Sequence, residues 1–214
     1  MAGVIRVAIV DDHPVAAAGV AAALADAPDM EIVAVAANLE SAVDAIAAHS
    51  PDVVLCDVQL GRERGFELPA RLADPAPAVM IFTSFDYPSY VRAAVEAGAA
   101  GFVLKTASLS DIVAAIRTVA AGGTAYSARD LRAARTAPRM PSARELQVVS
   151  LVAAGRSNSE IGAALEIDER TVESHLRRLF TRYSVDSRTE LATFSVRNGW
   201  IDPANGPIDL VTDH

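Results

Sequence analysis

Five side chains in the first half of this chain could act together on one anion. Asp11 and Asp12 follow the apolar run Val4–Val10, Asp57 ends the run Val53–Asp57, Thr83 ends Val79–Thr83, and Lys105 comes directly after Gly101–Leu104. Each stands at the carboxyl end of a β-branched stretch, and in a parallel sheet such ends converge on one rim however distant they are in sequence. Three carboxylates gathered there repel one another, and a hard divalent cation is the usual remedy. Mg2+ takes oxygen ligands and keeps some waters, so two or three carboxylates and a carbonyl suffice. The cation reverses the local charge logic and makes an anion welcome, and an aspartate can then attack phosphorus to form an aspartyl phosphate. Thr83 would donate its hydroxyl to the new phosphoryl group, and Lys105 would pair with it electrostatically. Asp57 alone reads as a solvated strand-end carboxylate; the ordered set of five gives it a chemical reading.

The elements that must position this set are legible as a βα repeat. Apolar runs at Val4–Val10, Glu31–Val35, Val53–Asp57, Val79–Thr83 and Gly101–Leu104 alternate with helical patterns near 14–27, 39–49, 65–73, 88–97 and 108–121. Five strands each followed by a helix predict a doubly wound parallel sheet covered on both faces, and the near-continuous apolarity of VVLC and VMIF fits strands buried on both sides. Gly122-Gly123 closes the last of these helices, and 122–140 reads as a linker, with a short helix around Ala128–Arg135. After Pro141 the pattern is helical only, at about 142–154, 158–165, 169–183 and 187–199, giving a small all-α domain over 141–202 and a tail over 203–214. Ser142 with Glu145, and Ser157 with Glu160, have capping-box spacing, and Asp168 is placed to cap the third of these helices.

Composition narrows the class. The 214 residues are long for one domain and short for three. A hydrophobic fraction of 51% against 21% charged residues is a globular composition. No apolar run reaches the roughly 18 to 20 residues that span a bilayer, and the N-terminus lacks the basic start and cleavage site of a signal peptide. The single cysteine, Cys56, excludes an internal disulfide framework and suits a reducing compartment, so the cytoplasm is expected, with no membrane partner. Cys56 itself reads as a core residue beside the nucleophile. The net charge of −8 is unevenly placed: residues 1–127 hold 7 Lys+Arg against 15 Asp+Glu, whereas 138–202 hold 9 of each. A neutral module binds DNA when its arginines gather on one face.

The Asp-Asp, Asp, Thr, Lys series at successive strand ends over residues 4–121 resembles the receiver domain of two-component response regulators, a flavodoxin-like fold. The resemblance implies that Asp57 is phosphorylated by a sensor histidine kinase, and that Asp11, Asp12, Asp57 and the main-chain oxygen of Gln59 hold Mg2+. It also implies that Thr83 and the aromatic Phe102 form the switch. His13 matches the family's Asp-Asp-His-Pro start. One departure is Leu60-Gly61, where the family often has Met-Pro.

Residues 142–200 resemble the LuxR-type helix-turn-helix of the NarL/FixJ class, on Arg144-Glu145, Gly155, Ser157-Asn158, Glu160-Ile161, Thr171-Val172, His175-Leu176, Val185 and Arg188-Thr189. Ile161, Ala164 and Leu165 form an inward face, Ile167 and Val172 pack the turn, and Val172, Leu176 and Leu179 point inward from the next helix. Trp200 is expected to cap this small core. The opposite face carries Arg170, Glu173, Ser174, Arg177 and Arg178, and a helix of this width fits the major groove. Glu173, Ser174 and Arg177 are expected near bases, and Arg170, Arg178 and Arg182 on phosphates, with Thr171 in the same contact region. Many relatives carry lysine where Glu173 stands, so that carboxylate either reads cytosine or repels phosphate. The whole implies a transcription factor that binds double-stranded DNA as a homodimer when active, with the last helix as the dimer contact, and that is not an enzyme beyond its own phosphoryl transfer.

Two other readings stay open on sequence. A phosphorylation-independent receiver would serve as a dimerisation or docking module. A flavodoxin-like or phosphatase-like enzyme would turn over an external substrate with the same aspartate, and it leaves 142–200 unexplained.

Overall fold

A computed structural model describes residues 3–61 and 63–201; the tail expected over 203–214 lies outside them. The chain divides into two compact units, Met1–Thr136 and Ala137–His214.

In the first unit, strands β1 (Ile5–Val10), β2 (Met30–Ala36), β3 (Val53–Cys56), β6 (Ala78–Thr83) and β7 (Gly101–Leu104) form a parallel sheet in the order β2-β1-β3-β6-β7. Helices α1 (Pro14–Ala25), α2 (Leu39–His49), α4 (Pro88–Glu96) and α5 (Leu109–Ala120) connect them. The alternation of side chains along each strand divides the core in two. Val7, Val53, Leu55, Met80 and Phe82 join Leu24, Ile112 and Ile116 on one face, while Ala8, Val10, Val54 and Cys56 join Leu39, Ile46 and Leu68 on the other. Burying both faces is what demands the unbroken apolar runs, at about 1.5–3 kcal/mol per large side chain removed from water.

The third helix departs from expectation. Instead of a helix over 65–73, a two-residue hairpin, β4 (Gln59–Leu60) with β5 (Glu63–Arg64), leads into a 3-10 turn at Gly65–Glu67 and a short α3 (Leu68–Arg71). Leu72 is already extended, at φ −87° and ψ 140°. The following Ala73-Asp74-Pro75-Ala76-Pro77 holds two prolines that cannot donate to a helix and disfavour helical backbone in the residue before each.

The stretch 122–140, expected as a linker with a short helix around Ala128–Arg135, carries that helix. Residues up to Thr136 belong to the first unit, and α6 (Ala128–Thr136) packs along α4.

The second unit holds α7 (Ala143–Ala153), α8 (Asn158–Leu165), α9 (Glu169–Tyr183) and α10 (Arg188–Arg197). Ser142 with Glu145 and Ser157 with Glu160 form reciprocal capping boxes, and Asp168 accepts from the Thr171 backbone N–H. Val148, Val149, Ile161, Val172, Leu179 and Leu191 form the centre of the core, closed by Tyr183, Phe194 and Trp200 packed ring against ring. Ala164 is exposed rather than inward; Gly162 is the residue buried between Ile161 and Leu165.

Candidate functional site

The carboxyl ends of β1, β3, β6 and β7 bring the acidic set to one rim. Asp57 is fixed by its backbone N–H donating to Val10 O at 2.8 Å, and Asp11 by its own donating to Ala36 O at 2.9 Å. Both carboxylates are almost fully buried and share one cation: Lys105 Nζ donates to Asp11 Oδ2 at 2.6 Å and to Asp57 Oδ2 at 2.8 Å. Burial alone would lower the pKa of Lys105, but the hydrogen bonds it donates to Asp11 and Asp57, with their charges, outweigh it and the ammonium form is favoured. The remaining oxygens take backbone donors, Asp57 Oδ1 from Val58 N at 2.7 Å and Asp11 Oδ1 from His13 N at 2.9 Å. Thr83 is buried at the end of β6, its Oγ1 accepting a long bond from Phe85 N at 3.4 Å. Lys105 N donates to Thr83 O at 2.8 Å, which ties these two residues together.

Asp12 is held differently. Its Oδ2 accepts from Gly61 N at 2.9 Å, in the turn between β4 and β5. Its Oδ1 is shielded from solvent and, among the described residues, is approached by His13, whose Nδ1 lies 2.7 Å away. Ligand atoms of Asp11, Asp12, His13 and Asp57 all fall within 4.8 Å of one another. A shielded carboxylate oxygen with no backbone donor among the described residues, set beside two further carboxylates, belongs to the donor set a hard cation satisfies, so Asp11, Asp12 and Asp57 fit Mg2+. Gln59 stands at the start of the hairpin, paired with Arg64.

Two glycines in this region carry roles that spacing did not reveal. Gly61 adopts φ +59°, the left-handed conformation that lets its N–H reach Asp12. At Gly65 a Cβ would sit 1.9 Å from Asp57 O and 2.8 Å from Cys56 Sγ, so only glycine allows the chain to pass the end of β3 this closely. Cys56 is buried beneath, and burial, then the charges of Asp57 and Asp11, push its thiol pKa far up, leaving it protonated and inert.

The second candidate surface is the exposed face of α9. Gly162 brings α8 against the turn so closely that a Cβ would lie 2.7 Å from Ile167 O, and Glu166 makes the turn at φ +53°. Val172, Leu176 and Leu179 are buried, which leaves Arg170, Glu173, Ser174, Arg177 and Arg178 exposed on the opposite side. Arg170 and Arg177 have no ion-pair partner among the described residues. Arg178 lies against His175, 3.3 Å from its Nδ1, and burial, then that guanidinium, lowers the pKa of the imidazole. Thr171 turns its hydroxyl back to Asp168 at 2.9 Å. Arg182, expected on a phosphate, is engaged inside the unit: its NH1 donates to Glu145 Oε2 at 2.9 Å and its guanidinium lies over the Tyr183 ring.

Residues 7–117 match the response regulator receiver domain family, and residues 142–195 match the luxR family of bacterial regulatory proteins. The chain is therefore a response regulator that joins a receiver domain to a LuxR-type DNA-binding domain. It is 34% identical to the probable transcriptional regulatory protein NarL of Mycobacterium tuberculosis, over 92% of this chain and 96% of that one. It is 30% identical to the transcriptional regulatory protein DegU of Brevibacillus brevis, over 92% and 95%. Among solved structures, the response regulator ChrA of a heme-sensing two-component system matches with a TM-score of 0.55 and 33% identity, covering 94% of this chain and 100% of that one. RcsB of Salmonella typhimurium shares the fold, with a TM-score of 0.68 at 20% identity over 91% and 98%. Among the described residues no helix is long and apolar enough to cross a membrane.

Proposed function

We propose that Asp57 accepts a phosphoryl group from a sensor histidine kinase, and that this shifts the receiver to a form in which the chain binds specific double-stranded DNA as a dimer. The observation that carries the reading is the shared clamp of Lys105 on Asp11 and Asp57, beside the carboxylate of Asp12. A carboxylate oxygen of Asp57 attacks phosphorus, and the bond from phosphorus to the kinase imidazole breaks as the new P–O bond forms. Val58 N holds Asp57 Oδ1, which leaves Oδ2, bonded among the described residues by Lys105, as the attacking atom. Lys105 then follows the charge from carboxylate to phosphoryl group, and Thr83 donates its hydroxyl to a phosphoryl oxygen, with Phe102 moving behind it. Asp11, Asp12, Asp57 and the main-chain oxygen of Gln59 would hold Mg2+, which when bound neutralises charge between the carboxylates and the phosphoryl oxygens.

On α9, Arg177, Ser174 and Glu173 meet base edges, and Arg170 and Arg178 meet phosphates, with Thr171 placing the helix start. A neighbour of like fold, RcsB, has been seen as dimers bound to DNA, which supports a paired DNA-bound form, with α10 as the contact between copies. The chain acts in the cytoplasm on this reading.

The test is intact mass with and without acetyl phosphate and Mg2+, for wild type and Asp57→Asn. A Mg2+-dependent gain of one phosphoryl group, absent in the variant, is expected. A gain retained by Asp57→Asn would place the acceptor elsewhere, and no gain in wild type would favour a receiver used for docking without phosphate.

A further inference from the structure

The chain does not leave the receiver where its last helix ends. Gly122 at φ +81° terminates α5, its N–H donating to Val119 O, and Gly123 N donates to Thr118 O. A Cβ on Gly123 would lie 3.0 Å from the Thr118 carbonyl, so this pair of glycines folds the chain tightly back over the end of α5. The chain then runs parallel to β7, the edge strand of the sheet, and pairs with it at Ala125. Ala125 N donates to Ala100 O at 2.8 Å, and Phe102 N donates to Ala125 O at 3.0 Å. Tyr126 adds its phenol hydroxyl, donating to Ala99 O at 2.7 Å, and burial pushes its pKa up to about 12. Gly101 has no room for a side chain because Ala125 Cβ would be 2.9 Å from its own. Beyond this segment, α6 packs along α4 with Ala134 buried, and Arg129 reaches Asp86 at 4.0 Å.

The outward N–H of Phe102 on β7 and the carbonyl of Ala100 just before the strand are thus satisfied by the chain itself, at the residue proposed to form the switch. Phe102 and Tyr126 also line the same cleft. We propose that residues 122–136 are an output clamp: docked on β7 and α4 they stabilise the resting arrangement of Phe102, and phosphorylation acts by loosening them. This rests on the reading that Asp57 is phosphorylated. The clamp and the phosphoryl group favour opposite states of one equilibrium, so weakening the clamp shifts the protein toward the active form without phosphate.

Hydrogen exchange on the full chain, with intact mass read from the same sample, tests the clamp directly. The amides of Phe102 and Ala125 report the pairing, and Asp52 N, bonded to Arg6 O at the other end of the sheet, is the control. On phosphorylation, exchange at Phe102 and Ala125 is expected to quicken about tenfold or more while Asp52 is unchanged. Unchanged protection in a sample shown by mass to be phosphorylated overturns the proposal. A second arm needs no phosphate. Tyr126→Phe removes only the bond to Ala99 O, and Ala125→Pro removes the donor to Ala100 O; both are expected to tighten DNA binding of the unphosphorylated chain, about threefold for Tyr126→Phe. No tightening in a folded Tyr126→Phe protein counts against the clamp, and a sample that gains no phosphoryl group counts against the Asp57 reading alone.

Discussion

The acidic rim of the receiver and the exposed face of α9 hold their charges in opposite ways. At the rim, residues 94 and 48 positions apart in sequence meet through Lys105, and backbone donors occupy most of the remaining carboxylate oxygens. On α9, Arg170 and Arg177 project from a single helix with no ion pair among the described residues. The rim is preorganised in a buried setting, where a charge left without a partner is costly. The α9 face keeps its charges in water at little cost, and on the proposed reading they gain partners when phosphates arrive. Arg182 shows that sequence proximity does not decide which regime applies. It stands five residues after Arg177 on the same helix, yet its charge belongs to Glu145 and the core.

The largest effect expected from breaking this contrast is at Gly65. Gly65→Ala places a methyl group 1.9 Å from Asp57 O, a position no rotamer can relieve. Overpacking of this kind is expected to cost about 3 kcal/mol in chemical denaturation and to slow phosphorylation of Asp57 even where the fold survives.

Arg182→Ala is expected to cost about 2 kcal/mol, less than a fully buried pair because Arg182 is partly exposed, since it leaves the Glu145 carboxylate buried and half-partnered. Its signature is loss of stability of the DNA-binding unit with the salt slope of DNA binding unchanged; a reduced slope with stability intact would return Arg182 to the phosphates. The same pair carries a pH dependence. Burial works to raise the pKa of Glu145, but the hydrogen bonds from Ser142 and Arg182 prevail and hold it below the usual carboxylate range. Its stabilising contribution is therefore complete above the unfolded value of about 4.3 and disappears as pH falls through the depressed folded value. Glu145→Gln should flatten that part of the stability profile.

Arg177→Ala should weaken specific DNA binding about tenfold and lower the slope of log affinity against log salt by about one, with thermal stability unchanged. The smallest effect is expected at Glu173. Glu173→Lys should raise affinity for random DNA about threefold and steepen the salt slope by about one. If specific affinity falls instead, the carboxylate reads a base.

Much of this architecture was legible before any coordinates. The strand order of chemistry from Asp11 to Lys105 could be read because a parallel sheet gathers carboxyl ends, and the helices of the second unit could be read from Ser142, Ser157 and Asp168 as caps. Helix α3 was not legible: the apolar pattern of 65–73 persists past the point where Leu72 turns extended before the prolines. Ala164 was misplaced because the 3.6-residue period offers both it and Gly162 to the inner face, and the close approach of Ile167 O leaves room only for glycine.

By itself, the sequence determined what local rules can determine: element type from periodicity, helix starts from capping side chains, the family from its spaced motifs, and the exposed face of α9 from the burial of Val172, Leu176 and Leu179. Tertiary structure alone decided which charges meet. Lys105 spans two carboxylates, Asp12 is held by Gly61, Arg182 is drawn inward to Glu145, and the glycines after α5 return the chain to the edge of β7 at Phe102. The reason is physical: periodicity and capping are settled within a few residues, whereas pairing of buried charges and closure of a sheet edge depend on surfaces that exist only once distant segments have packed.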